Sequence, residues 1–332
     1  MRNPILAVLF SLVLFSGLAR AADDARLGPV YVLDVTAPDQ ASLHEIIESG
    51  YDVASVHGLT ATIYATPAER QTLLATGWPV TEVDQTADIQ KTLGVYHTYD
   101  SLTTELETYA STHTDICRLP LMNPDGWTRM PPSRYNAQGY DLNRRFPNYP
   151  DDFTGTIFNT PLDTSGWPPE VVHIMNWTAQ ESFTLAANFH AGALVVNYPY
   201  DHEPGIPSGQ PAPSPDEDLF QDISRAYSVH NSAMWNNPEF VDGITNGSDW
   251  YAITGSMQDW DYRFAGCNHV TIEVSNVKRP DASVLAQLWE DNRESMLAYL
   301  ESAQIGLRGI VTDAETGAPL YAQVSVEGNS QP

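Results

Sequence analysis

Three sets of side chains in this sequence are suited to chemistry and spaced as parts of one site. Arg134, Asn143 and Arg144 fall within eleven residues. Two guanidiniums and an amide suit a carboxylate, because arginine grips it through two parallel hydrogen bonds. The plainer reading is an ion-paired loop. His190 closes the apolar run Phe183 to Phe189. Ligands of open α/β sheets collect at the carboxyl ends of strands, so this imidazole is a candidate metal ligand, with a structural histidine as the alternative. Glu273 stands at the end of a second apolar strand, in Thr271-Ile-Glu273. A carboxylate there is costly unless it is paired or functional.

The elements that must position these groups belong to an α/β protein. The run 183–189 predicts a strand buried on both faces, and Val270 to Val274 predicts another. Helices are expected over Tyr99 to Ser111, from Pro168-Pro169 to 183, over most of Asp216 to Trp235, and over Ala282 to Ser302, which is amphipathic. Ile116 to Leu119 starts like a strand and runs into the turn-rich loop Pro120 to Gly126. The expected fold is therefore a mixed central sheet with flanking helices.

Ahead of it, residues 29–85 form a small α/β module. Strands are expected at Pro29 to Val35, Leu59 to Tyr64 and Val80 to Val83. A helix over 41–49 has Ser42 as its expected cap, three residues before Glu45, and Thr66-Pro-Ala-Glu69 opens a second helix with proline at its first position. The module carries no visible chemistry, which suits a folding aid or a docking domain. Residues 86–96 read as a linker. After Ile305 the pattern becomes strand, turn, strand, as at the start of a β-sandwich.

Composition narrows the function. The chain has 332 residues, 42% of them apolar, enough for about two domains with a real core. Arg2, the apolar run Ile5 to Leu18 and Ala19-Arg20-Ala21 predict a secretion signal over residues 1–21, and a secreted, periplasmic or extracellular location. Losing Arg2 and Arg20 with the leader takes the formal charge from −26 to about −28. That excess disfavours nucleic acid and anionic membrane, and favours cationic substrates. Cys117 and Cys267 lack zinc-like spacing. A disulfide and a buried thiol are both open to them.

Taken together, MNPDGW (122–127), YDLNRRFP (140–147), ANFHAGALVVNYPYD (187–201), NGSDWYAITGSMQDW (246–260) and TIEVS (271–275) resemble the zinc metallocarboxypeptidases. The resemblance is closest to the regulatory, carboxypeptidase N/E/D-like subgroup, which carries a transthyretin-like β-sandwich after the catalytic domain. The spacings agree: Arg134 precedes Asn143 by nine residues, His190 precedes Asp201 by eleven, and Tyr251 precedes Glu273 by twenty-two. Behind the signal peptide read over 1–21 and the pro-like module and linker over 22–92, the resemblance implies a catalytic domain over 93–304 and a truncated sandwich over 305–332.

It also implies roles. His190 would be a zinc ligand and Glu273 the general base. Arg134 would polarise the scissile carbonyl. Asn143 and Arg144 would bind the terminal carboxylate, Tyr251 would close over the substrate, and Asp201 would accept a C-terminal Lys or Arg side chain. The partners implied are the C-termini of peptides or proteins, basic ones above all. The family's His-x-x-Glu pair has no counterpart, since none of the nine histidines has Glu three residues later. The segment that should carry it is missing between Leu119 and Pro120, and its loss would expose sheet edges. One of the three expected zinc ligands remains. The chain then reads as a carboxypeptidase by descent that has lost metal ligands, as a non-catalytic binder of peptide C-termini, or as an incomplete version of an active enzyme.

Overall fold

The computed structural model describes residues 31–49, 51–83, 99–112, 121–128, 133–152, 164–181, 183–306, 309–320 and 322. The leader, the linker, the expected strand at 116–119 and the Leu119–Pro120 junction lie outside these residues.

The N-terminal module is an antiparallel sheet of β1 (Tyr31–Thr36), β2 (Asp52–His57), β3 (Thr60–Ala65) and β4 (Val80–Val83), in the order β2-β3-β1-β4. Helices Gln40–Glu48 and Pro67–Ala75 supply Leu43, Ile46, Ile47 and Leu73 to a core with Leu33, Val35 and Ile63. The second helix has the expected proline and a full capping box, Thr66 with Glu69. The first is capped by Asp39 rather than Ser42. Its carboxylate accepts from the Ser42 amide at 2.8 Å, so Ser42 lies inside the first turn. Strand β2 was not foreseen. Its pairing register shifts between Val53 and Ser55, so the buried Val53 and Val56 lie three residues apart instead of alternating.

The larger sheet holds β5 (Leu185–His190), β6 (Ala193–Tyr198), β7 (Ile244–Asn246) and β8 (Asn268–Ser275) in the order β5-β8-β6-β7. Strand β8 runs parallel to β5 and antiparallel to β6, and β7 runs parallel to β6. The strand foreseen at 270–274 is the central β8. The expectation for 183–189 needs correction. Among the described residues β5 is an edge strand with one neighbour, β8, and Phe189 is 42% exposed. The apolar run is that of an interior strand, but here nothing described lies on its other side.

Helices Pro169–Glu181, Glu217–Ser228, Met257–Ala265 and Leu285–Ser302 flank this sheet. The helix 257–265 starts at Ser256, whose hydroxyl accepts from the Asp259 amide, and stops at Gly266 in the left-handed region (φ 65°). It buries Trp260 completely against Phe146, with ring centroids 5.6 Å apart. Truncating such a side chain costs about 3–5 kcal/mol. Cys267 is a free, buried thiol. Near the C-terminus, the described part of the expected sandwich is a single antiparallel bridge, Thr312 to Pro319. No described helix is long and apolar enough to cross a membrane.

Candidate functional site

The carboxyl ends of β5 and β8 open onto one pocket. Arg134, Asn143, Arg144, His190, Asp201, Tyr251 and Glu273 all line it. His190 and Glu273 are direct register partners across the parallel β5–β8 pair, which sets imidazole and carboxylate side by side.

The loop at 122–127 acts by position. Asn123 donates to the Arg134 carbonyl at 2.7 Å and accepts from the Gly126 amide at 2.9 Å. Gly126 itself packs so closely that an added Cβ would lie 2.2 Å from the Ser133 carbonyl. Arg134 is thereby held with Nη2 2.7 Å from Asp141 Oδ2, and the same carboxylate lies 3.9 Å from Arg144. Burial pushes the Asp141 carboxyl up, but Arg134 and Arg144 outweigh it and hold it below the usual range. Burial likewise opposes the Arg134 charge, and Asp141 with Asp52 raises its pKa all the same.

Asn143 has its side-chain oxygen engaged by the Met257 amide at 2.9 Å, which leaves the Nδ2 donors for the pocket. Arg144 steadies itself on the Asn143 carbonyl at 3.0 Å. Tyr251 has its hydroxyl pKa raised to about 12 by burial. It packs against the core of the N-terminal module.

Asp201 lines the pocket and is 1% exposed. Its Oδ1 accepts from Asn197 at 2.9 Å, whereas Oδ2 is buried without a partner. Burial raises its pKa against hydrogen bonds from Ser256 and Asn197. Asp259, in the first turn of helix 257–265, fixes the backbone here by accepting from the amides of Asp201 at 2.8 Å and His202 at 3.0 Å. Gly247 leaves room for the carboxylate, since a Cβ there would sit 2.0 Å from Oδ1.

Glu273 is buried, with Oε2 unpartnered. Burial raises it to about 7 against the pull of Lys278 and Arg134. His190 is driven down to about 3, first by burial and then by Lys278 and Arg134, so its ring is neutral. Its Nε2 lies 3.2 Å from the Asn188 amide nitrogen. A catalytic zinc needs about three protein ligands and an open position. Among the described residues no three His, Cys, Asp or Glu side chains group as metal donors, and the pocket wall adds the cations Lys278, Arg134 and Arg144. The described donors therefore do not fit a catalytic zinc.

The pocket also holds Val53, Asn197, Thr271 and Lys278, to which the sequence assigns no role. Lys278 sits just beyond β8, in the kind of strand-end loop that carries function, and that was its one signal. Nothing in the sequence pointed to Val53.

The model of the zinc carboxypeptidase family matches residues 95–295. Carboxypeptidase D of Mus musculus is 38% identical over 237 residues, 66% of this chain and 16% of that protein. Carboxypeptidase N catalytic chain of Homo sapiens is 36% identical over 244 residues, 65% of this chain and 53% of that protein. The chain thus spans about a sixth of the one relative and about half of the other. Among solved structures, carboxypeptidase A from Helicoverpa armigera superposes with a TM-score of 0.59 at 15% identity, over 82% of this chain and 97% of that one. At that identity the likeness concerns the fold alone.

Proposed function

This chain belongs to the zinc carboxypeptidase family, and on that premise we propose that its pocket recognises the C-terminal residue of peptides and proteins, with Lys or Arg preferred. Arg144 and the Asn143 amide bind the terminal carboxylate, and Arg134 takes the preceding carbonyl. Tyr251 closes over the bound residue, and Asp201 receives the cationic side chain. The observation that carries this reading is Asp201 Oδ2, a buried and unpartnered acceptor in the pocket that also holds Asn143 and Arg144. A buried carboxylate of this kind is compensated by an incoming ammonium or guanidinium. The acidic chain, at −26, favours the same ligands.

Hydrolysis of the terminal peptide bond is the second reading. Glu273 favours it, because it lines the pocket beside His190 with Oε2 unpartnered, as suits a general base. It further requires two metal ligands beyond His190, whose expected place is a segment at the Leu119–Pro120 junction. Reading the coding sequence across that junction separates an incomplete version from a chain that binds without cutting. The leader over 1–21 supports export in either case.

The test is binding of a labelled peptide ending in Ala-Lys, compared with its C-terminal amide. Binding by the acid and loss with the amide are expected. Equal binding of the two forms overturns the assignment of Asn143 and Arg144.

A further inference from the structure

Helix 257–265 holds both halves of the pocket. On one side it grips the segment that carries Asn143 and Arg144. The Met257 amide donates to Asn143 Oδ1 at 2.9 Å, Trp260 packs on Phe146, and the Arg263 guanidinium lies over the Tyr149 ring, 4.4 Å from its centroid. Both series advance by three residues, 257, 260 and 263 against 143, 146 and 149. Positions three apart share one face of a helix. One row of helix positions therefore fixes the course of this segment.

The same helix grips the turn that carries Asp201. Asp259 accepts from the Asp201 and His202 amides, and Tyr262 packs on Tyr200 with ring centroids 5.7 Å apart. Arg263 belongs to both sets of contacts. Its guanidinium also lies 4.0 Å from the Tyr200 ring centroid, and its Nη2 reaches Glu203 Oε2 at 2.5 Å. One planar cation is thus stacked between Tyr149, from the segment of Asn143 and Arg144, and Tyr200, the residue before Asp201. The stack is largely shielded, with the Arg263 side chain 16% exposed. A flat guanidinium suits two aromatic faces and a carboxylate at once, which an ammonium does not.

Asn143 and Arg144 take the α-carboxylate of a bound residue, and Asp201 takes the far end of its side chain. The distance between these groups must match the length of that side chain. We infer that helix 257–265 sets this distance, that Arg263 is the positioning residue that clasps the two segments, and that the pocket thereby selects a basic C-terminal residue by length. The inference rests on the peptide-end reading for the identity of the ligand. Arg263 stands outside the residues that line the pocket, so it acts through Tyr149 and Tyr200.

The experiment measures affinity of the full chain for labelled peptides ending in ornithine, Lys and Arg, with a Leu end as reference. The parent should prefer one basic end over the others by about tenfold or more, which is what one methylene can supply. Similar affinity for all three basic ends, with the free carboxylate still required, overturns the length selection and leaves the peptide-end reading standing. Arg263→Gln keeps much of the stem and a donor for Glu203 but loses the stack. It should bring the three basic ends close together in affinity while the Leu end changes little. An unchanged preference in folded Arg263→Gln overturns the clasp. So does an equal loss for all four ends, which is what a purely structural role would produce. Should Arg263→Gln fail to fold, Tyr149→Leu takes its place, since it leaves Arg263 its contacts with Tyr200 and Glu203. It should flatten the preference in the same way, and an unchanged preference overturns the clasp. Absence of binding by every end sinks the peptide-end reading and the length selection with it.

Discussion

Asp141 and Arg134 form an ion pair of 2.7 Å at the edge of the pocket, each side chain 16% exposed. It aims the guanidinium, because the remaining hold on Arg134 comes from its own carbonyl and from the docked module. Breaking a largely buried pair by removing one partner costs about 3 kcal/mol. Asp141→Asn should lose about that much stability in urea denaturation at neutral pH.

The same pair predicts an acid limb. The folded-state pKa of Asp141 is depressed below 3.8. Its stabilisation is therefore complete above the unfolded value and is lost as pH falls through the folded one. The difference in unfolding free energy between the parent and Asp141→Asn should shrink as pH is lowered below about 3.8. A difference that stays constant down to the lowest pH would contradict the assignment.

Asp201 should set the preference for a basic end. Removing one member of a buried charge pair costs at least about 2 kcal/mol, or roughly 30-fold in affinity. Asp201→Asn should weaken binding of a peptide ending in Lys by that factor while changing one ending in Leu little. The ratio of the two dissociation constants is the readout. An unchanged ratio assigns Asp201 to the turn after Tyr200 instead.

Gly247 should be required by that carboxylate. A Cβ placed 2.0 Å from Asp201 Oδ1 overlaps it outright. Gly247→Ala should reproduce the loss of Lys discrimination and lower the melting temperature, both measurable on the purified variant. Wild-type discrimination in Gly247→Ala would show that the carboxylate has another place to go.

Zinc should be held poorly. With one imidazole lining the pocket and no three-donor group among the described residues, the purified chain should carry well below one zinc per molecule, and a chelator should leave peptide binding unchanged. Elemental analysis and the binding assay with and without chelator check this. Stoichiometric zinc that vanishes in His190→Ala would overturn it.

The sequence by itself determined the family and where the candidate groups lie along the chain. His190 and Glu273 stood out because polar groups that close apolar strands need a reason to be there, and Arg134, Asn143 and Arg144 because two guanidiniums and an amide cluster; Asp201 and Tyr251 came from the family resemblance. The period of the apolar residues also located most of the strands and helices. The tertiary structure decided which strand neighbours which. Local pattern cannot report that, because β5 reads as an interior strand whether or not a neighbour covers it. It also decided that Val53 and Lys278 join the pocket. A main-chain carbonyl has no sequence signature, and the bulge that presents it broke the very alternation by which β2 would have been recognised. Contacts between residues this far apart in the chain are set by how the two sheets dock, which only the folded molecule contains.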